Sequence, residues 1–201
     1  MPARIDALYT APDAGEPMTD HDRVTLAPGG IEGDRYRRGT GYYSPFDVCE
    51  VTLVDAAALE TIRDDLEIDL TDGRHRRNVV VRGVDLDDLL GATFRIGPAN
   101  AEGDHEDRDG DGEVGDGDGA ERLASGAVLR GTRRRPPCAH VEDVAGQEGV
   151  VRALKERRGG ICASVVEPGP IAVGDVFEVL KADPRSEGRA IAERLRGAHG
   201  E

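Results

Sequence analysis

The sequence predicts an α+β fold, mainly antiparallel β, in which short strands close a β-barrel and a few short helices lie around it. Two observations carry this reading. Four dense β-branched runs recur along the chain: VCEVTLV (48–54), RRNVVVR (76–82), AVLRGTR (127–133) and ICASVV (161–166). The stretches with helical spacing are few and do not alternate regularly with these runs, which argues against a parallel βαβ sheet. With 201 residues, 38% of them hydrophobic, the chain can bury a core of its own and is not a disordered polymer.

The elements follow in order. Ala3 to Leu26 is mixed and proline-containing, and enters the fold as a short strand. PGGIEGDRYRRGTGYYS (28–44) is a long glycine-rich loop, or two turns around a short strand. Val48–Val54 is a buried strand, and Asp55 caps the helix AAALETIRDDL, whose Ala58, Leu59, Ile62 and Leu66 share one face. Arg76–Arg82 is the next strand. Its period-2 alternation puts Arg77, Val79 and Val81 on one side and Arg76, Asn78 and Val80 on the other. VDLDDLLG (84–91) is one helical turn closing at Gly91, and Thr93–Ile96 and Ala127–Arg133 are strands. Val150–Arg157 reads as a helix ended by Gly159-Gly160. Ile161–Val166 and Val176–Leu180 read as a hairpin-like pair across the Pro-Gly-Pro turn at 168–170. Residues 1–183 are thus expected to form one domain with an acidic insertion at 101–121, followed by a helical tail at 184–201.

Charge is concentrated. Of the formal net charge of −14, residues 101–121 hold ten acids against one arginine, which leaves −5 for the rest of the chain. That segment has too little apolar surface to bury and reads as a mobile loop between two paired strands. Only Lys155 and Lys181 are lysines, against 24 arginines. Acidic excess with scarce lysine suits a halophilic cytoplasm, where salt screens self-repulsion; a high-GC genome is the alternative origin. A negative chain disfavours nucleic acid as a partner. There is no apolar run long enough to span a membrane and no basic-then-apolar leader in MPARIDALYT, so a cytoplasmic protein without a membrane partner is expected. Three cysteines do not make a disulfide framework, so reduced thiols are expected too.

Cys138 stands out chemically. It sits in RRRPPCAH, where two prolines deny the backbone ladder hydrogen bonds and so favour an irregular, exposed turn. Arg133, Arg134 and Arg135 beside it would favour a thiolate, which is a nucleophile and a soft metal ligand; the same guanidinium groups can grip phosphate or carboxylate. His140 offers an acid/base or supporting group. Cys49 and Cys162 lie in apolar strands and read as small buried hydrophobes, and no pair of cysteines has zinc spacing. Asp107-x-Asp109-x-Asp111-Gly112 opens like a calcium loop, but the twelfth position is Asp118 and helices do not flank it. The run GGIEGDRYRRG matches no phosphate-loop pattern, although its amides and Arg35, Arg37 and Arg38 could line an anion site.

Five segments in order, GIEGDRY (30–36), VTLVDAAALE (51–60), RRNVVVRGVDLDDLLGATFRIG (76–97), PPCAHVE (136–142) and RRGGICASVVEPGPIAVGD (157–175), resemble the MOSC family, named for the C-terminal domain of molybdenum cofactor sulfurase. The resemblance spans about residues 28–180. It implies the family's β-barrel, a stand-alone MOSC protein, and binding of the molybdenum cofactor, a molybdopterin. It implies Cys138 as the catalytic residue, either molybdenum ligand or sulfur carrier. It further implies that Arg77, Asn78, Arg133, Arg158, Gly159, Gly160 and Asp175 take part in binding the cofactor. The acidic insertion departs from the short connection expected there. The pyridoxal-phosphate desulfurase domain that accompanies MOSC in the full sulfurase is not seen.

Two activities are compatible with one reactive cysteine. The first is reduction of N-hydroxylated or N-oxide compounds at a cysteine-held molybdenum. The second is carriage of persulfide sulfur for metal–sulfur cofactor assembly. The partners expected are a small-molecule substrate or cofactor, and a cysteine desulfurase or a redox protein. A third reading is a binding module whose acidic loop docks a partner or calcium. The composition predicts that the thermal unfolding midpoint rises from low to multimolar salt as carboxylate repulsion is screened. A midpoint unmoved by salt in circular-dichroism melts would assign the scarce lysines to codon usage instead.

Overall fold

The computed structural model describes residues 2–42, 49–99 and 126–182. Its strands are β1 (Arg4–Thr10), β2 (Thr19–His21), β3 (Arg23–Ala27), β4 (Gly30–Ile31), β5 (Val51–Asp55), β6 (Val79–Arg82), β7 (Thr93–Gly97), β8 (Ala127–Arg134), β9 (Ile161–Glu167), β10 (Gly169–Ala172) and β11 (Val176–Lys181). Its helices are α1 (Arg35–Arg38), α2 (Ala56–Leu66), α3 (Ala139–Ala145) and α4 (Val150–Ala153). Seven strands run in the order β11-β7-β8-β9-β5-β6-β1, and pairing of β11 with β1 closes them into a barrel. Only β5 and β6 pair in parallel; the other ladders are antiparallel, as the predicted fold class requires. β2 extends the sheet beside β1, and β10, β3 and β4 form a second small sheet.

Alternation along the strands sorts the apolar residues into two cores. Leu53, Val79, Val81, Phe94, Ile96, Leu129 and Ile161 fill the barrel, joined by Leu26, Ile31 and Ile171 of the small sheet. Val54 and Val80, one residue out of phase, face outward and pack with Leu59, Ile62, Val141, Val150 and Leu154 of the helical layer. Helix α2 begins where Asp55 caps it, the carboxylate accepting from Ala57 N at 3.0 Å. Its buried face is Ala56, Leu59 and Ile62. Leu66, expected on that face, is exposed because the helix ends there, with Glu67 left-handed at the cap.

Other expectations need correcting. Residues 3–26 hold two whole strands and the start of a third. The glycine-rich stretch contains β4 and α1. Ile161–Val166 and Val176–Leu180 do not pair, because β10 lies between them in sequence and pairs with β3, while β11 crosses to β7 and β1. The helix expected at Val150–Arg157 stops at Ala153; Glu156 and Arg157 have φ of 57° and 75°, outside helical space. Cys49 and Cys162 are joined as a disulfide, their Cα atoms 5.6 Å apart. This overturns the reading of both as free thiols: the β5–β9 pairing, which spacing does not reveal, brings them together. The insertion 101–121 with its calcium-like pattern, and the tail 184–201, lie outside the described residues. The strands on either side of the insertion, β7 and β8, pair as anticipated.

Asn78 ties these layers together at the start of β6. Its Oδ1 accepts from Thr52 N (3.1 Å) and Thr52 Oγ1 (2.7 Å), and its Nδ2 donates to Tyr9 O (3.1 Å) and Asp34 Oδ2 (3.0 Å). Asn78→Ala should therefore cost on the order of 3 kcal/mol of stability, since it strands buried donors and acceptors on three segments. Urea unfolding measures this, and a loss below about 1 kcal/mol would show the network to be dispensable.

Candidate functional site

The site is a pocket at the end of β1 furthest from the seam with β11. It is lined by Ala14, Arg35, Tyr36, Tyr42, Arg76, Arg77, Arg135, Pro136, Cys138, His140 and Val141. Four arginines, two tyrosines, a histidine and the thiol thus converge from three separate stretches of sequence. The cavity volume is about 30 Å³.

Asp34 organises the arginines. Its carboxylate is fully buried and accepts from Ala11 N (3.1 Å), Tyr36 N (3.0 Å), Asn78 Nδ2 (3.0 Å) and Arg35 Nη1 (3.1 Å). Arg35 also donates to Arg76 O at 3.0 Å, which pins the start of the RRN stretch. Arg76 has φ of 62°, a left-handed conformation that costs a non-glycine residue about 1 kcal/mol or more. This turn breaks the strand alternation upstream of Val79, so Arg76 and Arg77 both reach the pocket instead of opposite faces.

Charge is poorly balanced there. Arg35, Arg76 and Arg77 are all at least nine-tenths buried, and Asp34 is the one buried carboxylate among them in the described residues. Arg76 donates to the carbonyls of Asp13, Ala14 and Glu16. Arg77 donates from Nε to Gly159 O (2.7 Å) and from Nη1 to His75 O (2.9 Å), while its buried Nη2 has no partner. Burial pushes Arg76 down to about 10, with Arg35 adding to the effect. Burial likewise pushes Arg77 down to about 10; Arg135 and Arg35 lower it further, and Tyr36 and Cys138 offset part of this. Both stay cationic at neutral pH. An arginine-lined pocket in which buried Arg77 keeps one donor unpaired offers a place for an anion.

The remaining walls are built as follows. Tyr36 lies between two guanidinium groups: Arg35 Cζ is 4.6 Å and Arg135 Cζ 5.8 Å from its ring centroid, and Arg135 Nη2 donates to its hydroxyl at 3.1 Å. Cys138 occupies the N-cap position of α3 but makes no side-chain capping bond, and it is partly exposed. His140 donates from Nε2 to Ala14 O at 3.0 Å and stacks on Tyr42, centroids 4.2 Å apart.

Of the residues singled out in the sequence, the pocket gathers Cys138, Arg77, His140, Arg35 and Arg135. Asn78 is next to it but bonded entirely within the protein. Gly159 supplies the carbonyl that holds Arg77, and a Cβ on it would run into Arg135 O. Gly160 lets β9 approach β5, since a Cβ there would run into Leu53 O. Arg158 lines a different cavity, with Asp55, Asp85 and Asp87. Arg133 is exposed on β8, outside the pocket. Asp175 caps a turn at the opposite end of β1, accepting from Ala172 N at 2.8 Å. Arg76 and Tyr36 carry no cofactor signal in the sequence, and Arg35 carries one only as a cation of the glycine-rich run.

The described fold and pocket can be set beside known proteins. The family model for the MOSC domain matches residues 46–178. The chain belongs to the MOSC domain family. That family is associated with molybdenum-cofactor binding. The MOSC fold here is similar to the YuaD protein from Bacillus subtilis, with TM-score 0.64 and 21% identity, over 89% of this chain and 96% of that one. It is also similar to YiiM from Geobacillus stearothermophilus (TM-score 0.58, 14% identity, 90% of this chain and 76% of that one). YiiM from Escherichia coli gives TM-score 0.54 and 16% identity, over 90% and 70%. No curated protein sequence matches the chain. No helix among the described residues is long and apolar enough to cross a membrane.

His75 backs the pocket and gives it a pH signature. It is wholly buried; its Nδ1 accepts from Arg77 N at 2.9 Å, and its ring meets Tyr9 edge-on with centroids 5.4 Å apart. Burial, helped by Arg77, Arg35 and Arg76, pushes it down to about 3. The unfolded chain takes up this proton near 6.5 and the folded chain does not. Stability linked to His75 is therefore complete above pH 6.5 and is lost as pH falls towards 3, at no more than about 1.4 kcal/mol per pH unit. His75→Asn, which keeps an acceptor near the Nδ1 position, should flatten the slope between pH 6.5 and 5 in urea titrations. An unchanged slope would mean that His75 titrates at its ordinary value.

Proposed function

We propose that this MOSC protein binds the molybdenum cofactor in the Cys138 pocket and reduces N-hydroxylated or N-oxide compounds there. The observation that carries the proposal is the unpartnered Nη2 of buried Arg77, in a pocket with three further arginines and one thiol. The donor set fits such a group. Forked cations suit its phosphate, and a soft sulfur suits molybdenum. Arg77, Arg76 and Arg35 would hold the anionic end and Cys138 would ligate the metal. Among the described residues no cluster of three His, Cys, Asp or Glu side chains could hold a metal unaided, so a metal would arrive with its own ligands. When bound, the cofactor supplies two-electron transfer coupled to uptake of an oxygen atom.

The chain's own residues do the rest. Arg77 and Arg76 neutralise and orient the anion, and their burial keeps water from competing for it. Tyr36 fixes the spacing of Arg35 and Arg135. His140, partly buried beside Cys138, is placed to hold or move a proton at its ring. The second reading, a persulfide carrier that passes sulfur between a cysteine desulfurase and a cofactor, is favoured by one fact. Cys138 is the free thiol, since Cys49 and Cys162 are bonded to each other.

Protein purified from a molybdate-fed host should carry molybdenum approaching one per chain, and Cys138→Ala clearly less, by elemental analysis. Wild type and variant both without molybdenum would overturn the proposal.

A further inference from the structure

The pocket gathers four arginines, one of them with an unsatisfied buried donor, and opens on a thiol. One class of small molecule matches both features: an anion whose sulfonate oxygens take up the arginine donors and whose outer sulfur is electrophilic. We infer that the pocket accepts such sulfane-sulfur oxyanions, of which thiosulfate is the simplest, and transfers their outer sulfur to Cys138. The inference uses the same site as the proposed function but needs no metal.

Two independent features support it. Arg77 is 3% exposed, lines the pocket wall and keeps a buried Nη2 without a partner, so the cationic wall is built into the fold. Cys138 is in the same wall, and its sulfur is not used to cap α3. Soft sulfur attacks soft sulfur in preference to a phosphate or sulfate centre, which is why a sulfane oxyanion is the matching class.

The step balances without an outside oxidant or reductant. The Cys138 thiol releases its proton to solvent, and the thiolate attacks the outer sulfur of thiosulfate. A bond forms between the two sulfurs while the original sulfur–sulfur bond breaks. Its electron pair leaves on sulfite, and Cys138 becomes a persulfide. The arginines steady the sulfonate as charge moves onto the leaving sulfite.

The test uses protein from cells grown without added molybdate. Wild type is incubated with thiosulfate, the Cys138 peptide is read by mass spectrometry and released sulfite is assayed. The expected result is one added sulfur on Cys138 with an equal amount of sulfite, competition by inorganic sulfate, and no transfer in Cys138→Ala. Arg77→Gln, checked for folding by circular dichroism, should slow transfer by about tenfold or more at low thiosulfate, with part of the rate regained at high concentration. Sulfate competition on wild type gives the same information should that variant not fold. An unmodified Cys138 in a protein that still binds sulfate would overturn the inference and leave the proposed function standing. Persulfide formation indifferent to sulfate and to Arg77→Gln would also overturn it, because the thiol would then be reacting without the pocket.

Discussion

The buried carboxylate of Asp34 accepts from four donors on three segments, and the geometry of the site depends on it. It caps α1, holds the chain after β1 through Ala11, fixes Asn78 at the mouth of β6 and orients Arg35. Arg35 then holds the carbonyl of Arg76, and Arg76 reaches back to the 13–16 loop. One acid therefore sets the positions of two arginines directly or through one neighbour. It offsets only part of the positive charge collected there.

That imbalance is what separates a functional pocket from a structural one. Even half-exposed guanidinium groups elsewhere in the described residues end on carboxylates: Arg82 meets Asp6 and Glu60, and Arg134 and Arg157 share Asp87. Arg76 and Arg77 end on carbonyl oxygens instead, with one Arg77 donor unused. The fold also sustains a left-handed backbone at Arg76 to bring both side chains to one side. Desolvation and strain of this kind persist where a bound anion recovers the cost, and in the proposed function Cys138 is the reactive group of the same pocket.

Much of the fold is visible in the sequence because the barrel core follows a period of two. Val79 and Val81 go in and Val80 goes out, and Asp55 caps its helix as its type and position suggest. The places where local reasoning fails are those set by contacts distant in sequence. The Cys49–Cys162 bond depends on β5 lying beside β9. The separation of β9 from β11 depends on β10 finding β3. At the site, Cys138 and Arg77 were legible, one from its prolines and arginines and both from the family pattern. The role of Arg76 was not, because strand alternation assigns it to the opposite face and only its left-handed turn overrides that. Arg158 and Asp175, though part of the family pattern, stand over another cavity and at another turn in this chain.

The central claim is that the arginine excess around Asp34 forms one anion site per chain. Titration calorimetry with inorganic sulfate, at constant ionic strength and without added molybdate, tests it most directly. The account predicts saturable binding of one sulfate per chain, weakened by about tenfold in Arg77→Gln and unaffected by Cys138→Ala. Absence of binding in the wild type, or binding equally strong in Arg77→Gln, would contradict it.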